Sequence, residues 1–236
     1  MAMATSDEMS LAFVDVEHPL TETMKLAGFR RDPHTPIVCL KQRKKPNLKS
    51  AIYKVGVLDR SVTTVVAKRC SNTTASIEKR IYESVLTTLR VTRPAYYGCV
   101  PETNSGFSWL FLGYVDGEPW SPKQDDHCQA GTSWLAKVHT AAATCVSVES
   151  LPDRGSDHYL AHLQLARTNL METANQEMSA AGRDVLELVL RSLQDVESRW
   201  GEIDEISAAM VPTLVHGDFV PKNVRVKRGR ARSFSL

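Results

Sequence analysis

The sequence has no CxxC pair, no internal repeat, no low-complexity linker and no apolar run near the roughly 20 residues of a membrane span. Its five cysteines (39, 70, 99, 128 and 145) are scattered and odd in number. That argues against a disulfide framework or a zinc site and fits a reducing compartment. The first nine residues carry acids but no basic region, so a signal peptide is not expected. The net charge is only +2, too small to imply a nucleic acid or a membrane as partner. These absences point to a soluble, cytoplasmic protein.

What is present is an ordinary globular composition, 42% apolar and 24% charged over 236 residues, enough for one large domain or two small lobes. Charge is unevenly spread. Residues 41–69 hold nine Lys or Arg against one acid, Asp59, whereas residues 147–207 hold twelve acids against five Arg. The first stretch suits anions and the second cations, although solvated surface accounts for either.

Hydrophobic periodicity divides the chain near residue 116. Before it, Ile37–Leu40, Ala51–Leu58, Ser61–Arg69 and Ser108–Val115 read as strands, the last buried on both faces. A short helix is expected over Thr21–Phe29. A longer one is expected over Ala75–Arg90, where Ile77, Ile81, Val85 and Leu89 recur every four residues. After Asp116-Gly117 the pattern becomes helical. Cys128, Leu135, Val138, Ala142 and Cys145 mark one amphipathic face. Leu160, Leu163 and Leu170 mark a second helix, and Leu186 through Trp200 a third. Thr213–His216 returns to a strand, and Val224 and Val226 begin a final hairpin that turns at Arg228-Gly229. Strands followed by helices indicate an α+β fold, with residues 1–116 and 117–236 as its two parts.

One segment carries chemistry. His216-Gly217-Asp218-Phe219-Val220-Pro221-Lys222-Asn223 places a carboxylate five residues before a carboxamide. A carboxylate can accept the proton of an incoming hydroxyl, and an amide oxygen can ligate a hard cation such as Mg²⁺. Phosphoryl transfer needs those two functions and little covalent chemistry. Gly217 frees a tight bend, and Pro221 stiffens the loop between the two groups.

This HGDxxxxN segment resembles the catalytic loop of aminoglycoside phosphotransferases and their choline-, homoserine- and fructosamine-kinase relatives, distant kin of protein kinases. The resemblance implies a bilobal protein-kinase-like fold: a nucleotide-binding lobe built on an N-terminal antiparallel sheet, and a helical C-terminal lobe. It also implies ATP or GTP and Mg²⁺ as cofactors, and a small molecule as hydroxyl acceptor. Asp218 would be the base and Asn223 the Mg²⁺ ligand, with His216 bracing the loop.

Further features follow in the family's order. Lys68, in Val65-Val66-Ala67-Lys68, is similar to the lysine that grips the α- and β-phosphates, and Glu78 would pair with it, with Glu83 as competitor. Tyr114 and Val115, in the strand that ends at Asp116-Gly117, look like the hinge that meets adenine. Leu135-Ala136-Lys137-Val138-His139 is similar to the helix under the catalytic loop, with His139 in a structural role. No G-x-G-x-x-G occurs over residues 37–58. The family often uses a Ser-containing loop there, and Asn47-Leu48-Lys49-Ser50 would bring backbone N–H groups and the Ser50 hydroxyl near phosphate. An ordinary hairpin turn is the competing reading.

The family pattern continues beyond the Asn into a segment whose Asp binds metal, but here no acidic residue follows Asp218. The resemblance therefore implies a shortened kinase with an incomplete helical lobe and weak or absent transfer. A nucleotide-binding pseudokinase or interaction module is the alternative, and an unrelated α+β protein the third. Acids such as Asp153 and Asp157, where the family builds its acceptor pocket, suit either an amine-bearing acceptor or an outward helix face. The basic tail (Lys222, Arg225, Lys227, Arg228, Arg230 and Arg232) suits an anion or an ordinary hairpin.

Overall fold

The computed structural model describes residues 19–42, 50–59, 61–143, 151–174, 178–227 and 233–235. The chain divides into two compact units, Met1–Val148 with Leu214–Leu236, and Glu149–Thr213.

The first unit is built on a five-stranded sheet. Its strands are β1 (Val38–Gln42), β2 (Ser50–Gly56), β3 (Thr64–Ser71), β4 (Tyr96–Pro101) and β5 (Phe107–Gly113), in the order β1-β2-β3-β5-β4. Every neighbouring pair is antiparallel. Side chains alternate between faces along each strand. One face collects Tyr53, Val55, Val65, Ala67, Trp109 and Phe111, together with Leu20 and Met24 of helix α1 (Pro19–Leu26). Complete burial of a side chain such as Phe111 or Val55 contributes about 1.5–3 kcal/mol. The other face carries Cys70 and Leu110, which pack on Ala75 of helix α2 (Asn72–Arg80). Ser108 through Phe111 are buried in succession, so β5 is covered on both faces, as its continuous apolar run implies.

The helix expected over Ala75–Arg90 is three pieces in one run. After α2 comes a π turn, Ile81–Val85, and then α3 (Leu86–Leu89). A strict repeat of four residues drifts by about 40° per step around a regular α-helix. The wider π turn takes up that drift and lets Ala75, Val85 and Leu89 all be buried. Ser71 caps the start, its hydroxyl accepting from the Thr74 N–H at 3.3 Å. Arg90 ends the run in the left-handed region at φ 52°.

Helix α4 (Asp125–Ala142) buries His127, Gly131, Trp134, Val138 and Ala142. This stripe is rotated from the expected one: Cys128 and Leu135 are only half-buried, and Cys145 lies outside the described residues. A histidine and a glycine in the true stripe hide it from a search for apolar residues. A small antiparallel sheet, β6 (Glu118–Pro119), β7 (Arg225–Lys227) and β8 (Ser233–Ser235), completes the unit with β7 in the middle. The final hairpin is thus present, while its turn lies outside the described residues. Thr213–His216 is not a strand. A four-residue stretch makes a strand only where a partner edge exists, and β7 pairs instead with β6 and β8.

The second unit contains α5 (Ser156–Ala174), α6 (Ala180–Ser198) and α7 (Trp200–Ala208). Among its described residues only Leu186 is buried. One carboxylate ties α5 to α6: Glu197 accepts from Gln164 Nε2 at 2.9 Å and pairs with Arg167 Nε at 3.2 Å. The four described cysteines, 39, 70, 99 and 128, are free thiols. No described helix is long and apolar enough to cross a membrane.

Candidate active site

Two groups of the expected site residues are assembled, each by a different device. The first comes from strand register. Lys68 sits opposite Ile52 on β2 and Leu110 on β5, so its side chain leaves the sheet on the face that α2 covers. Because α2 begins at Asn72, directly after β3, Glu78 arrives above that face within two helical turns. Lys68 Nζ donates to Glu78 Oε1 at 2.5 Å, with both side chains about a quarter exposed, 27% and 21%. Glu83, in the π turn, is exposed; the lysine takes Glu78.

At the end of β5 the Gly113 N–H donates to the Ala95 carbonyl at 2.8 Å, and the Tyr114 N–H to the Thr64 carbonyl at 3.3 Å. Lys54 Nζ lies 3.9 Å from the centre of the Tyr114 ring, within cation–π range. Val115 follows, half-buried. Ser50 opens β2 opposite Cys70, whereas Asn47, Leu48 and Lys49 lie outside the described residues.

The second group is the loop at 216–223. Gly217 has φ +76°, a value that a side chain disfavours. The bend it permits lets the Asp218 N–H donate back to His216 Nδ1 at 3.2 Å. Pro221 opens a single 3₁₀ turn, Pro221–Asn223, which brings Asn223 round toward Asp218. Asn223 Nδ2 then donates to Asp218 Oδ2 at 2.6 Å and to the Asp218 carbonyl at 3.0 Å. Those bonds occupy the amide nitrogen and leave the amide oxygen for another partner. The Asp218 carboxylate is exposed. His216 is half-buried, and burial lowers its pKa against the opposing pull of the Asp218 charge.

The loop rests on aromatic rings that the sequence reading passed over. Phe219 meets Trp120 edge-on at 5.3 Å, Trp134 in a stacked arrangement at 6.4 Å and His216 edge-on at 5.6 Å. Trp134 is itself buried, and its indole N–H donates to the Thr92 carbonyl at 2.9 Å. Trp120 donates from its indole to the His127 carbonyl at 2.8 Å, and buried His127 accepts the Ser121 N–H on Nδ1 at 3.1 Å. Gly117 passes so close to β7 that a Cβ there would lie 2.9 Å from the Val226 carbonyl oxygen. The α4 helix supports the loop through Trp134, one position before the matched segment, while His139 is exposed. Phe219, inside the motif, was the available signal: a large apolar residue in a polar loop needs a floor.

An exposed carboxylate held beside an oriented carboxamide can accept a proton and offer hard oxygen donors. A lysine fixed by a carboxylate can present its charge to an anion.

Comparison with known proteins bears on the family and the fold. The profile described as the phosphotransferase enzyme family, APH, matches residues 52–234. Among solved structures, a thermostable mutant of aminoglycoside phosphotransferase APH(4)-Ia in its apo form is similar with TM-score 0.51 at 14% identity, over 84% of this chain and 65% of that one. Macrolide 2'-phosphotransferase MphH from Brachybacterium faecium gives TM-score 0.50 at 14% identity, over 92% and 69%. An aminoglycoside phosphotransferase from Alicyclobacillus acidocaldarius gives 0.47 at 16% identity, and this chain covers 79% of itself and only 58% of that protein's length. No curated protein matches. The profile spans most of the sequence, and the fold is that of kinase-like phosphotransferases, an N-terminal antiparallel sheet with helices; the chain belongs to the phosphotransferase enzyme family.

Proposed function

We propose that the protein binds ATP or GTP and passes the γ-phosphate to a hydroxyl of a small molecule, an aminoglycoside-like compound or a metabolite. The observation that carries this reading is the 2.6 Å bond between Asn223 and Asp218. It presents one group that can take a proton and one that can ligate a hard cation, in a single loop.

In this reading Asp218 accepts the proton of the acceptor hydroxyl, and His216 braces the bend. Lys68, held by Glu78, faces the α- and β-phosphates, and the Ser50 hydroxyl approaches them from the start of β2. With the Gly113 and Tyr114 amides already engaged, Val115 offers its backbone to adenine beside the Tyr114 ring. The donors present suit Mg²⁺, a hard ion that takes one or two protein oxygens and completes its shell with phosphate and water. Asn223 Oδ1 would hold it, and when bound the ion neutralises phosphate charge. The free thiols fit a cytoplasmic location.

Nucleotide binding without efficient transfer is the second reading. A melting-temperature titration with ATP, with and without Mg²⁺, separates the two. Stabilisation that needs Mg²⁺ and disappears in Asp218→Ala and Asn223→Ala supports the phosphotransferase. Stabilisation indifferent to Mg²⁺ supports the binding module, and no response to nucleotide removes both.

A further inference from the structure

Trp134 has two sides. One carries Phe219 and His216 of the catalytic loop. The indole also lines a separate cavity of about 270 Å³, whose walls include Arg90, Thr92, Gln129, Ser133 and Lys137. Two cations, two hydroxyls and an amide surround this space, and none of its lining residues is a carboxylate. Two of its walls are tied together: the Trp134 indole N–H donates to the Thr92 carbonyl at 2.9 Å. Arg90, at φ 52°, is set there by the backbone turn that ends α3.

We propose that this cavity is an effector site for a small anion with a flat apolar body, and that its occupancy is transmitted to the catalytic loop through Trp134. Arg90 and Lys137 supply the charge, the hydroxyls supply hydrogen bonds, and Val91, Ala130 and the small accessible part of buried Trp134 supply an apolar wall. At about 270 Å³ the volume falls just below the usual range of ligand pockets, about 300–1,000 Å³, which selects a single-ring ligand. Carboxylate and phosphate share this chemistry, and the test distinguishes them. A ligand seated against Trp134 restrains the residue that supports Phe219, the neighbour of Asp218. Only this coupling rests on the catalytic-loop reading; the anion site stands apart from it.

The test is calorimetric titration of the 236-residue chain with benzoate and with phenyl phosphate, using benzyl alcohol as the neutral control of similar shape. Saturable binding of at least one anion is expected, and none of the alcohol. Each charged contact removed should weaken affinity about tenfold in Lys137→Glu and Arg90→Asn, while Lys68→Met leaves it unchanged. Both side chains in the cavity are exposed, and Asn tolerates the left-handed backbone. Melting curves verify folding, and Lys137→Gln serves if the charge reversal perturbs it. Failure of both anions to saturate, equal binding of the alcohol, or undiminished affinity in the cavity variants would overturn the site. For the coupling, the His216 ring-proton resonance should move on saturation with the tighter anion. Saturable binding that leaves that resonance still overturns transmission through Trp134.

Discussion

The two halves of the candidate site are held in different ways. Lys68 and Glu78 are placed by regular structure, since strand register fixes the lysine's face and helix phase fixes the glutamate's. His216, Asp218 and Asn223 sit on irregular chain, held by their own hydrogen bonds and by a floor of rings. A site residue in a ladder inherits its position from dozens of backbone bonds, whereas one in a loop depends on a few named contacts. Substitutions that leave the ladder pair standing should therefore be able to dismantle the loop.

Trp134→Ala provides the sharpest contrast. Removing a buried tryptophan costs about 3–5 kcal/mol, and denaturant unfolding should show that loss together with altered His216 resonances. Lys68→Met should leave stability nearly untouched yet weaken ATP binding by about tenfold or more, since a charge-assisted contact to phosphate is worth about 1.5–3 kcal/mol; calorimetry reads it. Gly217→Ala forces a side chain into φ +76° and should destabilise by about 1–2 kcal/mol. The same change at Gly106, which has open space for a Cβ and an unremarkable φ, should have little effect in the same melting experiment. Glu78→Gln, breaking a pair that is partly exposed, should cost at most about 1 kcal/mol. A loss as large as that of Trp134→Ala would erase the distinction drawn above.

Acid supplies the smallest effect. Burial lowers the His216 pKa in the folded state, so the unfolded chain binds the proton first as pH falls. The contribution of His216 to stability is complete above its unfolded value, about 6.5, and is lost as pH drops toward the folded value. A His216→Gln variant should show a flatter stability profile below that pH than the native chain, measured by denaturant midpoints.

Much of this was legible in the sequence because it rests on local rules. β3 and β5 were marked by their apolar runs, and the pairing of Lys68 with Glu78 was implied by the family resemblance. The meeting of Asp218 and Asn223 was legible because they are five residues apart in one loop. The floor was not legible, because Trp120, Trp134 and Phe219 meet through tertiary packing across a hundred residues of chain. The stripe of α4 was misplaced because His127 is buried with a hydrogen bond and Gly131 has no side chain, so neither reads as apolar. Thr213–His216 looked like a strand because a four-residue stretch does not reveal whether a neighbouring edge exists.

The π turn at Ile81–Val85 has a consequence for how this chain tolerates changes in length. It is a place where the helix carries more residues per turn than regular geometry needs. Deleting one residue there would let the helix relax into ordinary α form without breaking the chain. Because a π turn spreads one extra residue over a single turn, that loss would leave the segments on either side close to their present angular relation, with Glu78 still above Lys68 and Leu89 still facing the core. The same deletion in a regular stretch of the helix would rotate one segment against the other by about 100°, the angular step of one residue. The π turn is thus the place where this helix can lose a residue and keep both of its tasks.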